Sequence, residues 1–178
     1  MYRLGFSRAQ CDAHKNFDQL LEALKKNPET SAVASLLEEF GKRFAGTKLS
    51  YGEKFTRSED VFNHFHFRIR SEVQEAFYIL LLDNNKQFMK EIMVTKGIIN
   101  RCLVHPREVF APAIEARASA IICVHNHPSG NNSPSVEDHR ITETLYETGE
   151  MLNISILDHL VVAGDSYTSF ADSGFLYT

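Results

Sequence analysis

An α/β architecture, α+β in the looser sense, is predicted by three observations. Two continuous apolar runs, Phe77-Tyr78-Ile79-Leu80-Leu81-Leu82 and Ala120-Ile121-Ile122-Cys123-Val124, read as buried strands. Segments with helical periodicity precede, separate and follow them. Asp83-Asn84-Asn85-Lys86 is a strong turn signal that folds the first run back on a following strand. Strands alternating with helices imply packed layers around one core.

The elements follow in order. Phe17, Leu20, Leu21 and Leu24 keep the i, i+3, i+4, i+7 spacing of a helix face, with Asn16 as its cap. Val33, Leu36, Leu37, Phe40 and Phe44 predict a second helix, ended by Gly46. The mixed stretch 46–56 reads as a linker, so the chain divides into an N-terminal helical segment with linker, 1–56, and a larger domain, 57–178. Ser58-Glu59-Asp60 opens a shorter helix to about Ile69. The hairpin comes next, its second strand running from about Gln87 to Val94. Pro106 suits the first turn of a helix that Val109, Ala113 and Ile114 continue, with His105 as its cap. After the strand at 120–125 come a polar loop and a helix from Pro134 or Ser135 to about Glu150. Ile154–Val162 is a further strand, and Tyr167-Thr168-Ser169-Phe170 a short edge strand.

Composition narrows the function classes. The chain of 178 residues is long enough to bury a core, and 43% hydrophobic with 24% charged residues is usual for a soluble domain. No apolar run approaches the roughly 20 residues that span a bilayer, so no membrane role is expected. The N-terminus lacks a signal-peptide pattern, which makes a cytoplasmic location the default. Cys11, Cys102 and Cys123 are isolated, with no Cys-x-x-Cys, so no disulfide framework or four-cysteine zinc site is suggested. Residues 1–72 hold 12 basic and 10 acidic side chains (+2), and residues 73–178 hold 7 and 13 (−6), which sum to −4. This pattern gives weak support for a nucleic-acid partner. An apolar patch on the N-terminal helices could serve a protein partner.

One stretch carries chemistry. His125-Asn126-His127-Pro128 leaves the end of a buried strand, where side chains two apart point to the same face. The loop Pro128–Pro134 reverses the chain, and Asp138 faces back from the first turn of the next helix, with Ser135 three residues before it. Two histidines and one carboxylate are a ligand set that leaves a fourth position on zinc for water. Each residue also has a plain structural reading. Ser133 or Ser135 is a helix cap, Asp138 the third-position acid of a capping box, and Gly130, Asn131 and Asn132 are turn formers. The same ligand set serves non-haem iron oxygenases, but those sites sit in all-β barrels.

Other histidines make weaker candidates. His64-Phe65-His66 repeats the spacing, but on a helix residues two apart diverge by about 200° and cannot share an ion. Asp158-His159 reads as a buried polar pair or as support for the ligands.

His125-x-His127-Pro128-x6-Ser135-x2-Asp138 resembles the motif of the JAMM (JAB1/MPN/Mov34) metallohydrolases. The string His125–Gly130, together with Val104-His105-Pro106-Arg107-Glu108-Val109-Phe110, Leu157-Asp158-His159 and Ser169-Phe170, resembles the RadC-like branch over about residues 57–176. The resemblance implies a JAB/MPN-like curved β-sheet flanked by helices and one Zn2+ held by His125, His127 and Asp138. It implies Ser135 as a stabiliser of the tetrahedral intermediate. A glutamate before an aromatic-led strand would be the general acid/base; Gln74-Glu75-Ala76-Phe77 places it at Glu75, with Glu72 as the fallback. The implied activity is metallopeptidase-like hydrolysis of an amide or isopeptide bond in a protein or peptide. The alternative is a DNA-repair-associated or scaffolding MPN module that binds zinc without turnover.

Overall fold

The computed structural model describes residues 24–26, 28, 30–44, 50–69, 72–97 and 104–176. Two compact units are present, Met1–Ala45 and Gly46–Thr178. In the first, helix α1 spans Ser31–Phe44. Its entry is held by Thr30, whose hydroxyl donates to the Leu24 carbonyl at 2.8 Å. Ala34 is fully buried, whereas Leu36, counted in the predicted apolar stripe, is 70% exposed. The predicted cap Asn16, the stripe residues Phe17, Leu20 and Leu21, and the stop at Gly46 lie outside the described residues, as do Cys11 and Cys102.

The second unit contains α2 (Ser58–Ile69), β1 (Ala76–Leu82), β2 (Phe88–Lys96), α3 (Pro106–Glu115), β3 (Ala120–Asn126), α4 (Val136–Leu152), β4 (Ser155–Ala163) and β5 (Ser166–Ser169). The strands form one mixed sheet in the order β2-β1-β3-β4-β5. The pairs β1/β2, β1/β3 and β4/β5 are antiparallel, and β3/β4 is parallel. The predicted hairpin is β1–β2, its turn closed by the Asp83 carboxylate, which accepts from the amides of Asn85 and Gln87.

Strand alternation divides the core. Phe77, Ile79, Leu81, Ile121, Cys123 and Val161 pack with Val109, Phe110 and Ala113 of α3 and Leu145 of α4. Tyr78, Leu80, Leu82, Ile122, Val124, Leu160 and Val162 pack with Val61, Phe65 and Ile69 of α2. The result is a five-stranded sheet flanked by helices on both faces. Among the described residues, no helix is long and apolar enough to cross a membrane.

Two predicted boundaries differ from the structure. Residues 50–56, the described part of the stretch read as a linker, fall in the second unit. The Gly52 amide donates to the Phe88 carbonyl and the Phe88 amide to the Glu53 carbonyl, so this segment lies along the start of β2. The physical reason is that β2 is an edge strand, whose outer backbone groups need partners. Helix α4 begins at Val136, one to two residues later than predicted, because Ser135 is its cap in extended conformation.

Candidate metal centre

His125 is the sixth residue of β3, and its parity places it with Ile121 and Cys123 on the α3/α4 side of the sheet. His127 lies just past β3, yet its amide donates to the Val162 carbonyl at 2.8 Å. That bond continues the parallel pairing with β4, so the pleat persists and His127 points to the same side as His125. The two Nε2 atoms come within 2.9 Å of each other.

The loop after His127 holds the second imidazole. Gly130, at φ +80°, adopts a backbone that an L side chain rarely takes, and its amide donates to the His127 carbonyl. Asn131 is thereby turned back so that its carbonyl sits 2.7 Å from His127 Nδ1. A carbonyl only accepts, so His127 Nδ1 carries a hydrogen and Nε2 is free to act as an electron-pair donor.

Asp138 completes the cluster from the first turn of α4. Its Oδ1 lies 3.1 Å from His125 Nε2 and its Oδ2 lies 3.3 Å from His127 Nε2. Oδ2 also accepts the Ser135 amide at 2.7 Å, while Ser135 Oγ accepts the Asp138 amide at 3.1 Å. This is a complete capping box. The cap and the cluster are therefore compatible readings of one pair: the box aims the Asp138 carboxylate at the histidines.

Ligand atoms of His125, His127 and Asp138 all lie within 4.8 Å of one another. Three electron-pair donors converging at this range repel one another unless a proton or a metal ion lies between them, and two imidazoles with one carboxylate are a donor set that fits a metal ion. The electrostatics agree. Burial opposes ionisation of Asp138, but the His125 and His127 rings beside it outweigh that and hold the carboxyl well below the usual range, so Asp138 is the anion a metal ligand must be. The adjacent Asp138 carboxylate in turn raises His127 above the ordinary imidazole value, against the effect of its own burial, so a proton competes with a metal ion for Nε2.

A cavity of about 840 Å3 opens onto the cluster, lined by Glu75, Phe77, His125, His127, Ser135 and Asp138 among others. Glu72, the other glutamate considered, pairs instead with Lys96 at 2.6 Å and does not line this cavity. Glu75 stands immediately before β1, and the residue between the two histidines secures it there. Asn126, 2% exposed, points to the opposite side of β3. Its Oδ1 accepts the Ala76 amide at 2.8 Å, and its Nδ2 donates to the Gln74 carbonyl at 3.1 Å. The backbone on both sides of Glu75 is thus clamped by the strand that carries the histidines.

A family model described as "RadC-like JAB domain" matches residues 55–175, more than half of the chain. The chain belongs to the RadC-like JAB domain family. Among its relatives, the UPF0758 protein of Trichlorobacter lovleyi is 46% identical over 136 residues, which cover 76% of this chain and 59% of that protein. The UPF0758 protein of Syntrophotalea carbinolica is 40% identical over 157 residues, covering 88% and 69%. That of Methanosarcina mazei is 42% identical over 123 residues, covering 69% and 54%. The chain therefore spans 59% of the Trichlorobacter relative. In this RadC-like JAB domain the converging His/Asp cluster can hold a metal ion.

The remaining candidates resolve simply. His64 and His66 diverge on α2, toward Glu91 Oε2 at 2.6 Å and Asp165 Oδ1 at 2.7 Å. His105 caps α3, its Nδ1 accepting the Arg107 amide at 3.1 Å. Asp158 and His159 are not joined through their side chains: Asp158 accepts from Ser169 Oγ and from the amides of His159 and Ala171. The His159 ring contacts the His125 ring instead, Nε2 to Nδ1 at 2.8 Å. Burial pushes the His159 imidazole well below its ordinary value. Sequence reasoning did not single out Asn126 or Thr142 as supports of the site. The apolar run Ala120–Val124 that leads into Asn126 is a weak signal, since a buried amide must find hydrogen-bond partners.

Proposed function

We propose that this RadC-like JAB domain is a zinc-dependent hydrolase of amide or isopeptide bonds in a protein or peptide substrate. The observation that carries the reading is the convergence of His125, His127 and Asp138 on the wall of a cavity that Glu75 and Ser135 also line. Two imidazoles and a carboxylate form a donor set suited to zinc, and three protein ligands leave a position open. Bound there, zinc supplies Lewis acidity that polarises a carbonyl and brings the pKa of water to about 7.

The chain's own groups then have separate tasks. Glu75 accepts a proton from the attacking water and returns it to the leaving nitrogen. Ser135 uses an oxygen lone pair in its cap, so its hydroxyl proton is available to the substrate oxygen as negative charge builds there. Asn126 keeps the Glu75 backbone in register with the ligand strand through its two hydrogen bonds.

The test is turnover of peptide and isopeptide-linked substrates by the zinc-loaded chain, with a nuclease panel run in parallel. Wild type is expected to cleave an amide bond, and Glu75→Gln to lose about 10²- to 10⁴-fold while retaining zinc. Zinc binding without amide turnover in wild type would favour the non-hydrolytic scaffolding module. Full activity in Glu75→Gln would remove Glu75 from the acid/base role.

A further inference from the structure

Thr142 and His159 form a chain of hydrogen bonds that starts and ends at the metal cluster. The Thr142 hydroxyl contacts the Asp138 carbonyl at 2.6 Å and His159 Nδ1 at 2.6 Å. His159 Nε2 contacts His125 Nδ1 at 2.8 Å. His125 Nε2 faces Asp138 Oδ1 at 3.1 Å. Thr142 lies one helical turn after Asp138 on α4, and both histidines project from the same side of adjacent parallel strands. The circuit is therefore built from three elements that pack independently of any metal.

The direction of every proton in this circuit follows from its ends. A carbonyl cannot donate, so the single hydroxyl proton of Thr142 is given to Asp138. Thr142 Oγ1 then has only lone pairs for His159, so His159 Nδ1 carries the hydrogen. His159 is fully buried, with no carboxylate on either ring nitrogen, so the ring is neutral and its Nε2 is bare. A bare Nε2 must accept, which places the His125 hydrogen on Nδ1. His125 Nε2 is left as an unprotonated electron-pair donor aimed at Asp138 and His127. Phe170 stacks on the His159 ring at 5.0 Å with planes 19° apart, and Phe77 packs against it at 5.3 Å with planes 60° apart, so two aromatic contacts hold the ring.

We infer that Thr142 and His159 are positioning residues that fix His125 in the tautomer required of a metal ligand. The inference rests on His125 being a ligand, as proposed above. His127 achieves the same end by a shorter route, through the Asn131 carbonyl. The helix that supplies the third ligand thus also sets the protonation of the first. Such outer partners of metal-bound histidines typically change affinity by about 10- to 100-fold when removed.

The test uses the full chain in two measurements. Long-range 1H–15N correlation spectra of the zinc-free protein report which nitrogen of each histidine is protonated. Wild type is expected to show His125 and His159 both as Nδ1–H tautomers. Thr142→Val keeps the shape of the side chain but removes the acceptor, and is expected to give mixed tautomers at both rings. Zn2+ affinity, read by competition with a chromophoric chelator, should fall about 10- to 100-fold in Thr142→Val. His159→Phe, which preserves ring packing, should weaken binding by a similar factor. An Nε2–H tautomer of His125 in zinc-free wild type would overturn the inference. So would Zn2+ affinities of both variants within about twofold of wild type, against the change expected for such partners. Neither readout depends on turnover, so an inactive but zinc-binding wild type would reject the hydrolase reading alone.

Discussion

The chain carries two histidine pairs of identical spacing, and the secondary structure beneath each decides what the pair can do. On α2, His64 and His66 point apart, one to Glu91 at the edge of the sheet and one to Asp165 beyond β4. On β3, His125 and His127 point together, their Nε2 atoms 2.9 Å apart. A two-residue step is about 200° of rotation on a helix and a full repeat on a strand. The intervening residue follows the same rule. Phe65 on α2 is buried among Val61, Ile69 and the strands, whereas Asn126 reaches across the sheet to hold the segment carrying Glu75. A spacing motif is thus informative only together with the period of the element that bears it.

Replacing the middle residue of each pair breaks the comparison most severely. Phe65→Ala removes a fully buried ring and should cost about 3–5 kcal/mol of stability, read from denaturant unfolding, with zinc affinity unchanged in the folded fraction. Asn126→Ala leaves a buried amide N–H and a carbonyl without their partner and should cost about 1–3 kcal/mol. Its separate signature is a lower kcat with zinc still bound, because the clamp acts on Glu75 and not on the ligands. Equal turnover in Asn126→Ala and wild type would show that Glu75 does not depend on the clamp.

Much of this arrangement is legible in the amino-acid sequence. Asp83-Asn84-Asn85-Lys86 marks the β1–β2 hairpin, and five consecutive apolar residues ahead of His125 mark β3. The convergence of His125, His127 and Asp138 follows from strand parity, a reversing loop and one helical turn. What stays hidden in the sequence depends on neighbours far away along the chain. Asn126 meets Gln74 and Ala76 only because β1 runs antiparallel to β3 with Phe77 opposite His125. Thr142 looks like an ordinary helix residue until the packing of α4 on the sheet turns it toward His159. Residues 50–54 read as a linker because nothing local signals that they cover the edge of β2.

The helical pair has its own, smaller consequence. Burial raises the Glu91 pKa, but hydrogen bonds and charge from His64 and Arg68 outweigh it and lower the carboxyl below its ordinary value. A depressed folded-state pKa means that the contribution is complete above the unfolded value, near 4.5, and is lost as pH falls through the folded value. Glu91→Gln should therefore lower stability by about 1 kcal/mol at neutral pH. The difference in Tm from wild type should close as the solution is made more acid than about pH 4. A difference that stays constant from neutral to acid pH would mean that Glu91 contributes by packing rather than by charge.

Of two equally spaced histidine pairs, then, one joins a cluster that can hold a metal ion and the other does not. Zn2+ stoichiometry and affinity, measured side by side on wild type, His127→Ala and His66→Ala, put that contrast to the test. Stoichiometric binding is expected in wild type, with loss of binding in His127→Ala and wild-type affinity in His66→Ala. Wild-type affinity in His127→Ala, or loss of binding in His66→Ala, would contradict it.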